Sequence, residues 1–248
     1  MPKVSTCQLI LINYFDIDEV DEHFINDYGS IFKQAKYEEN TELATTNTTL
    51  PMYLYSRFEV LTKYYLFKYA YHYSNNQPVK SLDELSYSDK VLSSFKMLGE
   101  NAQNICSSFF ILESQIIKDI VNDIKYFNEI NLIKDKDVLL LKEELYHFLD
   151  YIEVLAVKGH YENGNKVSFY ISDIYIETGH GYICTPKVKI SLIQTFMVNH
   201  TGSTDEKAFE KMKTWFQSMI RVSNLISVTG EKQRIKFFDT QRKILKSL

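Results

Sequence analysis

The chain has 248 residues, 45% of them hydrophobic and 14% aromatic, with four prolines and eight glycines. That much apolar surface offsets chain entropy, which excludes an intrinsically disordered chain and a miniprotein that needs disulfides to fold. The formal charge of −4 conceals a split: Lys207–Leu248 carries ten of the 28 basic side chains and three of the 32 acidic ones, so +7 sits there against −11 on residues 1–206.

In chain order, the first apolar run, Cys7–Phe15, gives way at once to Asp16, Asp18 and Glu19, which is not the pattern of a secretory leader. The acidic stretch to Asp27 reads as a solvated face. After Thr45–Thr49, Pro51 suits the first turn of a helix, and Leu54, Phe58, Leu61, Tyr65 and Tyr69 recur at the spacing of one helical face. Tyr53, Tyr55, Tyr64, Tyr71 and Tyr73 interleave there with Arg57, Lys63 and Lys68. Base stacking beside cations is one reading of that density, and helical spacing favours the other, core and oligomer contact. The run stops at Asn75-Asn76-Gln77-Pro78.

Ser81-Leu82-Asp83-Glu84 has the form of a capping box, so a further helical stretch is expected from there. Two longer helices follow over Ser107–Ile130, with the stripe Ile116, Ile117, Ile120, Ile124 and Phe127, and over Val138–Ile152, with Leu141, Leu145, Phe148 and Leu149. The short polar link Asn131–Asp137 predicts an antiparallel helix hairpin. The pattern then changes to period 2. Glu162-Asn163-Gly164-Asn165 signals a turn, Val167, Phe169 and Ile171 alternate after it, and Gly179-His180-Gly181 reads as a second turn. Together these predict a small antiparallel meander over residues 154–191.

At the basic end, Asp205 can cap a helix whose apolar stripe is Phe209, Met212, Phe216 and Met219. The opposite stripe is Lys207, Lys211, Thr214, Ser218 and Arg221, with cations suited to phosphates and hydroxyls suited to base edges. Asn224-Leu225-Ile226 returns the chain to the core. Thr229-Gly230-Glu231-Lys232 reads as a turn into a strand, Gln233–Phe238, on which Arg234 and Lys236 share one face. A short helix, Gln241–Leu248, closes the chain with Arg242, Lys243 and Lys246.

This order of helix, Leu-Ile step, basic Gly-centred hairpin and closing helix resembles the second half of a winged helix-turn-helix domain, with Val188–Asn199 available as an earlier helix. The run from Asn199 through the wing is also similar to the C-terminal winged-helix domain of MukE-type subunits of bacterial condensin-like complexes. That resemblance implies a dimeric, non-enzymatic subunit that binds a kleisin and an SMC ATPase and touches DNA.

The fold class expected is α+β: a helical part over 1–153, a small antiparallel sheet over 154–191 and a winged-helix-like basic module over 192–248. The function expected is a non-catalytic DNA-binding or DNA-associated adaptor subunit, SMC-linked or acting in antiviral defence. Its phosphate-facing residues would be Lys207, Lys211, Thr214, Arg221, Lys232, Arg234 and Lys236. Partners would be DNA or an acidic protein, with SMC- and kleisin-type subunits and a homo-oligomer among the options. An interaction subunit using the basic face for an acidic partner is the first alternative.

A metal-dependent nuclease is the second, with Asp173 and Glu177 holding a cation beside Lys187 or Lys189. His180 and Cys184 are spaced as a metal could use, but no Cys-x-x-Cys or His-Glu-x-x-His pattern accompanies them. Neither a metal nor another cofactor is therefore expected. Phosphate-loop and nucleophile-elbow motifs are absent from the sequence. The odd, scattered cysteines, Cys7, Cys106 and Cys184, point to a reducing compartment. No apolar stretch reaches the roughly 18 residues of a membrane span, so a cytoplasmic location without membrane contact is expected. The bias of 24 lysines to four arginines suggests an AT-rich bacterial or phage genome.

Overall fold

The computed structural model describes residues 33, 35–47, 50–72, 80–84, 89–174, 179–196 and 199–248. Among the described residues there are seven strands: β1 (Glu42–Asn47), β2 (Ser107–Glu113), β3 (Lys166–Ser172), β4 (Gly179–Cys184), β5 (Lys189–Phe196), β6 (Asn199–Ser203) and the two-residue β7 (Asn224–Leu225). They form one mixed sheet in the order β6-β5-β4-β1-β2-β3-β7. The three central neighbours β1, β2 and β3 are parallel. From β1 outward the sheet continues through antiparallel β4, β5 and β6, and β7 pairs antiparallel with β3 at the other edge.

Parallel neighbours need long crossovers, and helices supply them. Between β1 and β2 run α1 (Met52–Tyr55), α2 (Glu59–His72) and α3 (Asp89–Ala102); between β2 and β3 run α4 (Ile116–Glu129) and α5 (Asp135–Lys158). Two helices close the chain, α6 (Glu206–Val222) and α7 (Glu231–Leu245). Successive strand residues point to opposite faces, and the core divides accordingly. Leu43, Phe110 and Ile183 belong to the large cluster shared with α1–α5 and α7. Their neighbours Ala44, Ile111 and Tyr182 meet Phe209 and Phe216 of α6 in a smaller cluster. The described residues thus form a layered, mixed α/β structure with α6 on one face of the sheet and α1–α5 and α7 on the opposite face.

Strands come from all three of the segments 1–153, 154–191 and 192–248. In the N-terminal segment the strands replace other expected elements: Ser107–Glu113 is expected as the start of a helix and Thr45–Thr49 as a lead-in to one. Each carries a compact apolar or threonine-rich run, and each lies inside the sheet, where both faces are covered and alternation is lost. The expected meander over 154–191 does not form either, because β2 and β1 lie between β3 and β4. Gly179-His180-Gly181 is strand rather than turn. At Gly181 the reason is a close approach: a Cβ there would lie 2.2 Å from the Ala44 carbonyl oxygen. Val188–Asn199, offered as a helix, is mostly β5.

The helix expected from Pro51 is broken at Ser56–Phe58 into α1 and α2. Its rings Tyr53, Tyr55, Tyr64, Tyr65 and Phe67 are buried, so they serve the core and are unavailable to stack on bases or to join a second copy. Tyr55 and Tyr65 stack at 4.4 Å, and the Tyr65 hydroxyl accepts the Leu50 N–H at 3.3 Å. Tyr73 lies outside the described residues, as do Cys7–Phe15 and the acidic stretch after it. Of the capping box expected at Ser81 one half forms: the Ser81 N–H and hydroxyl both donate to Glu84 Oε2 at 2.8 Å, but the Glu84 N–H bonds the Ser81 carbonyl, and Leu82–Glu84 is a turn rather than the start of a helix. Lys134 and Lys136 beside Asp83 hold its carboxyl down at about 2. No helix among the described residues is long and apolar enough to cross a membrane.

The largest departure is at the C-terminus. Gln233–Phe238 is helix, not the returning strand of a wing, and it continues without a break into the expected closing helix. Arg234, Phe237, Phe238, Gln241 and Leu245 are buried, a helical spacing that the local alternation of Ile235 and Phe237 concealed. Glu-Lys-Gln-Arg at its start are good helix formers. Before it, Val228 sits at φ 43°, left-handed backbone in which a β-branched residue is strained, and its side chain is 56% exposed. Val228→Gly is therefore expected to raise the urea midpoint, a gain of about 1 kcal/mol.

Candidate nucleic-acid interface

The basic stripe read on α6 is built as expected. Asp205 caps the helix, its Oδ1 accepting the Ala208 N–H at 2.8 Å. Phe209 and Phe216 are buried against Tyr182, with ring centroids at 5.5 and 5.8 Å, and Met212 and Met219 are half-buried beside them. That anchoring turns Lys207, Lys211, Thr214, Ser218 and Arg221 to solvent, and all five are exposed. From Lys207 to Arg221 the row runs about 21 Å along the axis.

The acidic residues on α6 lie on one flank of that row. Lys189 of β5 draws in Glu206 at 3.1 Å and Glu210 at 3.8 Å. Lys213, below, is engaged by Glu42 at 3.2 Å and lies 5.7 Å from the Tyr182 ring centroid. Among the described residues Lys207, Lys211 and Arg221 make no ion pair. The two hydroxyls are turned inward: Thr214 donates to the Glu210 carbonyl at 2.8 Å and Ser218 to the Thr214 carbonyl at 3.0 Å. The outer row therefore offers cations with hydroxyl groups already spent as donors. Trp215 flanks it on the other side, edge-on to His180 at 4.8 Å, with exposed Val222 about two turns further.

The rest of the expected surface is not gathered with this row. Arg234 is 8% exposed, and its Nη1 donates to the carbonyls of Ile226 at 3.2 Å and Val228 at 3.3 Å, so it braces the turn before α7 from inside. Arg242 is held by Asp150 at 2.7 Å and Glu153 at 2.5 Å. Lys232 and Lys236 are exposed, but on α7, which belongs to the opposite layer. The single basic face expected from the sequence is thus divided: Lys207, Lys211, Thr214 and Arg221 stay together, Lys232 and Lys236 lie elsewhere, and Arg234 is inside. Alternation on a strand had placed Arg234 beside Lys236; on a helix they are about 200° apart.

The nuclease constellation does not assemble. Asp173 follows β3 at one end of the sheet, while Lys187, before β5, and Lys189, on it, lie at the opposite end, with β4, β1 and β2 between β5 and β3, paired with Glu38 and Glu206. Glu177 lies outside the described residues. His180 and Cys184 are four residues apart on one strand, about 13 Å, too far to share an ion. Burial lowers the His180 pKa and raises that of the Cys184 thiol, which favours the neutral form of each.

A cleft that sequence reasoning missed lies between the ends of β2 and β3 and one face of α7, and it is lined by Asp173, Lys232 and Lys236 among others. The spacing of Lys232, Lys236 and Thr240 carried the signal once that segment is seen as helix. No protein-family model, curated protein or solved structure matches the chain.

Proposed function

We propose that the chain is a non-catalytic subunit that holds duplex DNA through phosphate contacts from the outer row of α6. The observation that carries this reading is the row Lys207, Lys211 and Arg221, exposed and free of ion pairs among the described residues while the neighbouring acids are drawn aside by Lys189. Because Thr214 and Ser218 donate to their own helix, the contact reads charge and spacing rather than base edges. No wing takes part, since α7 occupies that stretch of chain.

Reversal of the row tests the proposal. Lys207→Glu/Lys211→Glu/Arg221→Glu is expected to weaken binding of a short fluorescent duplex at least tenfold at low salt. Lys232→Glu/Lys236→Glu on the opposite layer should leave it within about twofold. Equal losses from both variants, or no loss from the first, would overturn the assignment.

Trp215 and Val222 beside the row favour a second reading, an acidic protein surface with an apolar rim. In that case Trp215→Ala would weaken capture of an acidic partner and leave duplex affinity unchanged.

A further inference from the structure

A cleft of about 490 Å³ opens beyond the carboxyl ends of β2 and β3, with Ser114 and Asp173 on the strand side and one face of α7 on the other. Ligands of α/β sheets settle outside the carboxyl ends of parallel strands, and this volume lies in the range of small-molecule sites. The charge is specific. Among the described residues Lys232 and Lys236, one turn apart, carry no ion pair, and Asp173 is the only carboxylate in the lining. Lys232 and Gln233 belong to the first turn of α7, which has no side-chain cap, so the helix dipole adds to the attraction for an anion, while Glu231 of the same turn is exposed and outside the lining.

The wall carries a further sign. Gln241 is 1% exposed; its Nε2 donates to the Ser114 carbonyl at 3.1 Å, while its Oε1 has no hydrogen-bond partner. A buried acceptor left open in this way is uncommon in folded proteins. Ile226 and Phe237 make the floor apolar.

From these features we propose that the cleft binds a phosphorylated small molecule of mononucleotide size. Its phosphate would lie at Lys232 and Lys236 at the start of α7, its body on the apolar floor, and a hydroxyl or amino donor toward Asp173. Among the described lining residues two ammonium groups stand against one carboxylate, a positive excess that a neutral sugar or base would not use. The α6 row lies on the other face of the sheet, so this site stands or falls independently of DNA binding.

The test is calorimetric titration of the full chain with purine and pyrimidine nucleoside mono-, di- and triphosphates, with the matching nucleosides and inorganic phosphate as separate arms. At least one nucleoside phosphate is expected to bind in the micromolar range, at least tenfold tighter than its nucleoside and than phosphate alone. Lys232→Ala/Lys236→Ala, both at exposed positions, should weaken it tenfold or more, while Lys207→Glu/Lys211→Glu/Arg221→Glu leaves it unchanged. No heat from any nucleoside phosphate at millimolar concentration, or affinity that survives the Lys232/Lys236 variant, would overturn the proposal. Equal affinity for nucleoside and nucleoside phosphate would do the same.

Discussion

Arg234→Glu is expected to lower the free energy of unfolding by about 4 kcal/mol, the scale for an uncompensated buried charge. The guanidinium is inside the molecule and donates to two carbonyls, those of Ile226 and Val228. Glutamate would set a carboxylate against the same two acceptors. Arg234→Met, which removes the charge along with its donors, should cost less, about 2 kcal/mol. The α6 reversal Lys207→Glu/Lys211→Glu/Arg221→Glu acts at exposed positions and should stay within about 1.5 kcal/mol, part of it the unfavourable acid at the helix C-terminus. Urea midpoints of the three variants separate these outcomes. The comparison also decides how binding data are read: loss of affinity in an Arg234 variant reports unfolding, whereas loss in the α6 variant reports the surface.

Gly181→Ala should be nearly as severe, at about 3 kcal/mol or more. The added Cβ would stand 2.2 Å from the Ala44 oxygen and 3.2 Å from the Ala44 carbonyl carbon, both backbone atoms of β1 that cannot swing aside. Relief requires β4 to part from β1, and β1 is where the antiparallel half of the sheet joins the parallel half. Gly164→Ala is the control. That glycine has φ 86° and nothing within 4 Å of the new methyl, so only the left-handed backbone is penalised, by about 1 kcal/mol. A fall of similar size in both variants would mean that the β1–β4 contact is not as tight as described.

Local chemistry was the legible part of this chain. Asp205 as a cap, the two stripes of α6 and the apolar stripes of α4 and α5 all depend on residues within one or two turns of each other, and all are present. Pairing between distant segments was not legible. β1 and β2 are joined by register alone, Glu42 to Ser107 through Asn47 to Leu112, across some sixty intervening residues. Nothing near Thr45 or Phe110 announces that partner. Glycine misleads at Gly181 for a physical reason: it serves close backbone approach to Ala44 within a strand, whereas Gly230 both closes the turn before α7 and lies against the Leu225 carbonyl. The C-terminal stretch failed through a short window, since Arg234-Ile235-Lys236-Phe237 alternates like a strand while the burial from Arg234 to Leu245 is helical. The candidate interface inherited both outcomes, with the α6 row intact and its expected continuation into a wing replaced by a helix on the far side of the sheet.

Salt dependence of duplex affinity tests the central claim most directly. If Lys207, Lys211 and Arg221 each meet a phosphate, the logarithm of the binding constant should fall with the logarithm of salt concentration at a slope of about −2.7. The triple reversal should bring that slope close to zero. The same slope in both proteins, or no measurable duplex binding by the wild-type chain at 50 mM salt, a concentration at which such contacts are strong, would contradict the account.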